Sequence, residues 1–239
     1  MRCSSIGREY FILDPEFPER LSRSGYIRTI DFIQFLFEKY AQSSLTKKSD
    51  RDVAISGLVK RMERVLDTEC IYGVFQSFLP RLLLWRRPDK TDGNETHYKD
   101  QDLPSWSWMT YSRIHFHPVE GTLKVPVAAD LRFATERKVL LVQVRAFQNC
   151  RMERKGSQYT IVDADSKDVG NLCFDMTTTV HFQHCVVIGM ELGDYEDAEK
   201  DYHILLVRKI GLENQYERVG LGKTKARCIS KECCEGELS

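Results

Sequence analysis

The sequence predicts an α+β fold in which a helical segment precedes an antiparallel β-sheet. Apolar residues recur with a helical period in the first third of the chain, and they alternate with polar residues after residue 103. No helical pattern separates the later strands, whereas parallel strands need a crossover connection between them. We therefore expect three or four helices packed on an antiparallel or barrel-like sheet.

Composition and charge indicate an ordinary globular protein. The chain has 239 residues, of which 42% are hydrophobic and 29% are charged. Its 35 basic and 35 acidic side chains balance, whereas nucleic-acid-binding proteins usually carry a basic excess. The sequence contains neither a long apolar run nor a signal-peptide pattern, so we expect no membrane contact and a cytoplasmic location. Its eight cysteines are then expected to be thiols.

The N-terminal half is expected to be helical after an irregular leader at residues 1–25. The helical segment covers residues 26–85, and its first helix spans residues 26–40. Four apolar residues of that helix fall on one face: Ile30, Ile33, Phe37 and Tyr40. A second helix is capped by Ser49 and contains Gly57, which predicts close approach of a neighbouring element at that position.

A polar loop at residues 86–103 separates the helices from an antiparallel β segment at residues 104–229. Trp106 and Trp108 alternate with serines, which predicts a strand with both indoles on one face. Residues 230–239 are polar and are expected to form a flexible tail. Further strands are predicted at Lys138–Gln148, Tyr159–Val162, Asn171–Phe174, His184–Leu192, Tyr202–Ile210 and Tyr216–Leu221.

Common catalytic and phosphate-binding motifs are missing from the sequence. It contains no Walker A motif, no dinucleotide-binding glycine motif and no G-x-S-x-G nucleophile elbow. Gly222-Lys223-Thr224 lacks the upstream glycine of a P-loop and is interpreted as a sheet-edge turn. Asp163 and Asp165 are interpreted as a solvated turn, because nothing nearby supplies the burial that tunes catalytic acids. We predict no catalytic residue.

Two groups of possible metal ligands leave an enzymatic alternative open. His115 and His117 would share a strand face, and His181, His184 and Cys185 lie within five positions. A structural zinc site needs four converging ligands, and no C-x-x-C pair occurs, so we expect neither metal nor cofactor. The alternative is a small hydrolase or a metal-dependent enzyme that uses these histidines and cysteines.

Several segments resemble the C-terminal region of fungal heterokaryon incompatibility (HET) domain proteins. The segments are Leu45-Thr46, Asp50–Leu58 (DRDVAISGL), Gly73–Trp85 (GVFQSFLPRLLLW), Pro104–Thr110 (PSWSWMT) and Tyr216–Leu221 (YERVGL). Asp175, Cys185 and Leu205-Leu206 also fit the family pattern, while Phe75 stands where the family usually has tryptophan. The resemblance covers about residues 31 to 222. The motifs of the family's N-terminal effector core do not occur in the chain.

The resemblance implies a non-catalytic C-terminal module of a HET-type allorecognition or cell-death protein. Such a module would have a regulatory or recognition role, and its partner would be a protein or the missing HET core. Another interpretation is a non-functional truncated paralogue. Neither nucleic acid nor a membrane is expected as a partner.

Three residues are the candidates for binding a ligand or partner. Trp106 and Trp108 would supply aromatic contact area, and Arg218 would supply a fixed charge able to grip a carboxylate or phosphate. The alternatives are that the tryptophans anchor the helical part on the sheet and that Arg218 forms a structural ion pair with a nearby acid.

Overall fold

The structure is a computed structural model, and it describes nine stretches of the chain. They are residues 17–43, 51–88, 103–119, 123–124, 131–156, 158–175, 184–191, 197–211 and 213–239. Two compact units make up the chain. The first unit comprises Met1–Leu82, Arg87–Leu103 and Ser107–Phe116, and the second comprises Leu83–Arg86, Pro104–Trp106 and His117–Ser239.

Three α-helices and thirteen strands are found in the described residues. The helices are α1 (Tyr26–Gln42), α2 (Arg51–Leu66) and α3 (Leu79–Leu82). The strands are β1 (Cys70–Ile71), β2 (Val74–Phe75), β3 (Trp85–Arg86), β4 (His115–Phe116), β5 (Arg132–Ala134), β6 (Val139–Phe147), β7 (Cys150–Lys155), β8 (Gln158–Asp163), β9 (Asp168–Phe174), β10 (His184–Met190), β11 (Asp201–Lys209), β12 (Gln215–Lys225) and β13 (Ile229–Leu238). The predicted order, helices followed by a mostly antiparallel sheet, is confirmed at this level. Within the described stretches, no helix is long and apolar enough to cross a membrane.

Helix α1 supplies much of the core of the first unit. The predicted apolar face is confirmed for Ile30, Ile33 and Phe37, which are fully buried, while Tyr40 is half-buried. The prediction for Gly57 on α2 is wrong, because this residue is exposed and, beyond its own helix, no atom of the described residues lies within 4 Å of a Cβ placed there. The predicted cap Ser49 lies outside the described residues.

A tight hairpin joins β1 to β2 in the first unit. The two antiparallel strands pair Cys70 with Phe75 and Ile71 with Val74. The two residues between them, Tyr72 and Gly73, have φ angles of 45° and 78°. Two successive positive φ angles are the signature of a type I′ turn, which matches the natural twist of two-residue hairpins.

The second unit is built on a nine-stranded sheet that partly closes on itself. Its neighbouring strands run in the order β11-β10-β6-β13-β12-β9-β8-β7, with β5 added to β6. A further pairing of β11 with β12 closes five of these strands into a ring. Every pairing is antiparallel except that of β12 with β13, in which Gln215 pairs with Glu237 and Tyr216 with Leu238. The predicted antiparallel sheet is thus confirmed with one parallel exception.

The predicted strand positions are confirmed within a few residues for β6, β8, β9, β10, β11 and β12. The expected flexible tail at residues 230–239 is wrong, since β13 extends to Leu238 and pairs with both β6 and β12. Gly222-Lys223-Thr224 forms no sheet-edge turn, because these residues lie inside β12. A Cβ on Gly222 would lie 2.6 Å from the main-chain oxygen of Asn171, so glycine permits the close approach of β9.

Candidate functional site

The candidate Trp108 belongs to the core of the first unit. It begins a 3-10 turn, Trp108–Thr110, and its indole Nε1 donates a 2.8 Å hydrogen bond to the main-chain oxygen of Gly73. Its ring stacks on Phe37 with 4.7 Å between the ring centroids. The preceding residue, Ser107, donates from its hydroxyl to the oxygen of Tyr72 at 2.8 Å. Ser107 and Trp108 therefore hold the β1-β2 turn by hydrogen bonds to the main-chain oxygens of its two central residues.

The candidate Trp106 belongs to the second unit. It lies in a turn rather than a strand, so the expectation that Trp106 and Trp108 share a strand face is wrong. The reason is that Ser107 caps the 3-10 turn by accepting a 3.1 Å hydrogen bond from the backbone nitrogen of Met109. The indole of Trp106 is fully buried and donates to the oxygen of Leu238 at 3.0 Å, while its own oxygen accepts from Trp85 Nε1 at 3.0 Å.

The candidate Arg218 forms the charged centre of the second unit. Only 4% of this residue is exposed. Its Nε donates to Asp175 Oδ2 at 2.8 Å, and one terminal nitrogen donates to Asp175 Oδ1 at 3.2 Å. The terminal nitrogens also donate to the main-chain oxygens of Leu83, at 2.7 Å, and of Trp85. The guanidinium carbon lies 3.5 Å from the centroid of the Trp85 ring, so the charged plane rests on an indole face.

In this arrangement the side chains of the three predicted site residues bond other groups of the chain. Trp106 and Arg218 belong to one buried group in the second unit, and Trp85 connects them. Trp108 belongs to the first unit. The side-chain polar atoms of all three residues bond carbonyl or carboxylate groups of the chain itself, and Arg218 has the structural ion pair that the sequence left open. Sequence reasoning did not single out Asp175 as the partner of Arg218, although Asp175 fits the family pattern.

A second polar group, the histidine cluster, consists of His117, Glu191, Asp201, His203 and Lys223 in the second unit. His203 is 1% exposed, and its Nε2 lies 2.9 Å from Glu191 Oε1. Its Nδ1 is buried and has no hydrogen-bond partner among the described residues. The rings of His117 and His203 are 5.5 Å apart between centroids. Lys223 Nζ lies 3.0 Å from Glu191 and 3.2 Å from Asp201, so one ammonium group pairs with both carboxylates.

The environment of the histidine cluster favours neutral imidazoles. Burial, the neighbouring His203 and the charges of Arg86 and Lys223 lower the pKa of His117 to about 4. Burial also lowers the pKa of His203, although the hydrogen bond to Glu191 opposes this effect. Burial alone would raise the pKa of Glu191, but hydrogen bonds from Lys223 and His203 lower it overall. His203 and Glu191 were missed by the sequence analysis, because the pairing of β10 with β11 brings these two residues together and the pairing of β11 with β12 adds Lys223.

The other predicted ligand groups do not converge in the described residues. His115 and His117 do not share a strand face, because β4 ends at Phe116; His115 is exposed and lies 4.0 Å from Glu38. Cys185 is buried on β10, and burial raises the pKa of its thiol to about 12. His181 lies outside the described residues. Within the part of the chain that the structure describes, no group of three or more histidine, cysteine or acidic side chains is arranged to hold a metal ion.

Comparison with known proteins adds no relative. No family model, no curated protein and no solved structure matches the chain. The functional argument therefore depends on the residues and contacts described above.

Proposed function

We propose that this chain is a non-catalytic module of the HET type, with a recognition or regulatory role in allorecognition or cell death. The observation that carries the proposal is the structural role of the residues in which the chain resembles that family. Trp85, Trp106, Trp108 and Arg218 are buried, and their polar atoms bond other groups of the chain. Side chains that are buried and bonded in this way stabilise the fold, so we assign recognition to the surface of the module.

The helices of the first unit supply the surface that we assign to a partner. Two of the large hydrophobic side chains that are exposed in the described residues lie there: Ile27 on α1, 38% exposed, and Val53 on α2, 68% exposed. Met152 on β7, 40% exposed, lies in the second unit. Exposed apolar side chains become favourable contacts when a partner removes them from water. We propose that the partner is a HET effector core.

Binding between the purified chain and a separately purified HET core tests the proposal by titration calorimetry. We expect a dissociation constant of about 1–10 μM, the range of transient signalling contacts. Ile27→Lys and Val53→Lys should each weaken binding about tenfold, because a charge would be buried at the interface. Met152→Lys is the matched control and should leave binding unchanged. Absence of binding at 100 μM core would contradict the proposed partner.

A cellular experiment tests the regulatory role. The HET core is expressed in a filamentous fungus with and without this chain, and growth arrest is scored. We expect the chain alone to be harmless and to change the response to the core, with Val53→Lys reducing that change. If neither binding nor a change in the response occurs, the interpretation as a non-functional truncated paralogue is favoured instead.

A second candidate function, acid–base catalysis, is favoured by one observation. The buried Nδ1 of His203 lacks a hydrogen-bond partner among the described residues, and His117 lies beside it. A neutral imidazole next to a carboxylate is suited to general-base activation of water. The test is hydrolysis of a panel of carboxylic and phosphoric esters by the wild type, by His203→Asn and by His117→Asn. Catalysis by this pair requires a rate that both variants lose, and with His117 as the base the rate rises with pH through about 4.

A further inference from the structure

Two cysteines of the second unit lie side by side, although 78 positions separate them in the sequence. Cys150 is the first residue of β7, and Cys228 ends the 3-10 turn Ala226–Cys228 that precedes β13. The Sγ atom of Cys150 lies 3.7 Å from the main-chain oxygen of Cys228 and donates to it, and both side chains belong to the same apolar cluster. Both are free thiols.

Gln148 holds this pair in place through its main chain and its side chain. Its backbone nitrogen donates to the oxygen of Cys228 at 3.0 Å. Its side-chain Nε2 donates to the oxygens of Arg227, at 3.3 Å, and of Ile229, at 3.1 Å. The residue before and the residue after Cys228 are thereby fixed to the segment that leads to Cys150, so the closeness of the two cysteines is set by the backbone.

The surroundings of Cys228 stabilise a thiolate there. The neighbouring Cys150 thiol lowers the pKa of Cys228, and the Thr224 hydroxyl and the Arg227 guanidinium add to the effect, while burial and Asp163 oppose it. The same interaction raises the pKa of Cys150. The pair therefore loses its first proton more readily than an isolated buried thiol, and that proton comes from Cys228.

We propose that Cys150 and Cys228 form an oxidation-sensitive thiol pair, which a hydroperoxide converts into an intramolecular disulfide. Two observations support this assignment: the Cys150 thiol lies against Cys228 on a fixed backbone, and Cys150 is half-buried, which leaves it within reach of a small oxidant. A reactive thiol beside a second, resolving thiol is the arrangement found in redox-sensing proteins.

The reaction balances with a hydroperoxide as the only co-reactant. The Cys150 thiol gives its proton to the Cys228 thiolate as its sulfur attacks the peroxide; an S–O bond forms, the O–O bond breaks, and the alkoxide or hydroxide that leaves takes a proton from water. Cys150 is now a sulfenic acid. The Cys228 sulfur then attacks the Cys150 sulfur, the S–S bond forms and the S–O bond breaks. The hydroxyl leaves with the thiol proton as water, so two thiols are oxidised and one peroxide is reduced.

Other cysteines of the chain serve as internal controls. Cys185 is fully buried, and burial raises the pKa of its thiol. Cys233 and Cys234 are exposed neighbours on β13. They face solvent more fully than Cys150 and would react first if exposure alone decided the order of oxidation.

The experiment treats the full chain with hydrogen peroxide at about one equivalent, alkylates the remaining thiols and maps the peptides by mass spectrometry. We expect a linked Cys150–Cys228 peptide as the main product, formed at least about tenfold faster than oxidation of Cys233. The oxidised protein should also have a higher thermal midpoint, since the new bond restrains the unfolded chain. A dithiol reductant should restore the original mass and midpoint.

Variants separate this proposal from general thiol oxidation. Cys150→Ser should abolish the linked peptide, and Cys228→Ala should trap a sulfenic acid on Cys150 that a dimedone probe captures. Cys233→Ser is the matched control and should leave formation of the Cys150–Cys228 peptide unchanged. The proposal is overturned if the folded wild type forms its first bonds through Cys233 or Cys234 while Cys150 and Cys228 stay reduced. Circular dichroism of each variant verifies that it is folded.

Discussion

Trp108 in the first unit and Arg218 in the second unit are both buried side chains with polar atoms, and these atoms find their partners in different ways. Trp108 is buried among aromatic rings and has one polar atom, which is satisfied by the oxygen of Gly73. Arg218 is buried with a full charge, which is balanced by Asp175 and spread over two carbonyl groups and the face of Trp85. The first core tolerates loss of a hydrogen bond at modest cost, whereas the second depends on a charge remaining paired.

Removal of the carboxylate partner should produce the largest effect. Asp175→Ala leaves the Arg218 guanidinium buried without its counter-charge, so we expect a loss of about 3–5 kcal/mol in the free energy of unfolding. Urea denaturation followed by fluorescence measures this loss.

A double variant sharpens the interpretation of that result. Replacing both partners, as in Asp175→Leu with Arg218→Met, removes the unpaired charge, so part of the lost stability should return. Recovery should be incomplete, because the oxygens of Leu83 and Trp85 lose their donors. A double variant that is less stable than Asp175→Ala would show that the carbonyl contacts, rather than the charge pair, dominate this core.

The next effect concerns the turn that Trp108 covers. A Cβ on Gly73 would lie 2.6 Å from the Trp108 Nε1 atom, and the φ angle of +78° is strained for any L side chain. Gly73→Ala should therefore cost about 2–4 kcal/mol, the sum of backbone strain and overpacking. Thermal and urea unfolding measure the cost. A loss below about 1 kcal/mol would mean that the indole moves away without penalty, and the rigid packing described for this core would be wrong.

These two cores also show which features the sequence could reveal. The helical face of Ile30, Ile33 and Phe37 was predictable, because burial and a 3.6-residue period coincide there. Strand β13 was not predictable: the five residues from Lys231 to Glu235 are all exposed, although the strand pairs with β6 and β12. Its place in the sheet is set by main-chain hydrogen bonds, which leave no apolar pattern in the sequence.

The candidate site was predictable only in part, for a related reason. The sequence identified Arg218 and the tryptophans as unusual, but their partners are distant in the chain: Asp175 lies 43 positions from Arg218, and Leu238 lies 132 positions from Trp106. Alternation within a Ser-Trp-Ser-Trp segment also misled, since the Ser107 hydroxyl favours a capped 3-10 turn over a strand.

Acid sensitivity should follow from the histidine cluster of the second unit. An unfolded histidine has a pKa of about 6.5, whereas His117 in the folded chain has a pKa of about 4. Between these two pH values the unfolded chain binds a proton that the folded chain does not, so stability falls as the pH is lowered from about 6.5 to 4. The loss should reach up to about 3 kcal/mol, and His203 contributes in the same direction.

Stability measured by urea denaturation across this pH range tests the assignment. His117→Asn should flatten the curve between pH 6.5 and 4, because the group that faces His203, Arg86, Lys223 and Glu191 no longer titrates. His115→Asn replaces an exposed histidine of the first unit and should leave the curve as it is in the wild type. Equal flattening by both variants would contradict the role of the cluster.

The smallest expected effect is a gain in stability at Gly57, which contrasts with the loss expected at Gly73. Gly57 lies inside α2, is exposed, and has open space where a Cβ would stand. Alanine restricts the unfolded chain more than glycine does and clashes with nothing here, so Gly57→Ala should stabilise the protein by about 0.5–1 kcal/mol. Thermal unfolding beside Gly73→Ala measures the contrast directly. A destabilised Gly57→Ala would mean that a partner element or a bend of α2 requires the bare backbone at this position.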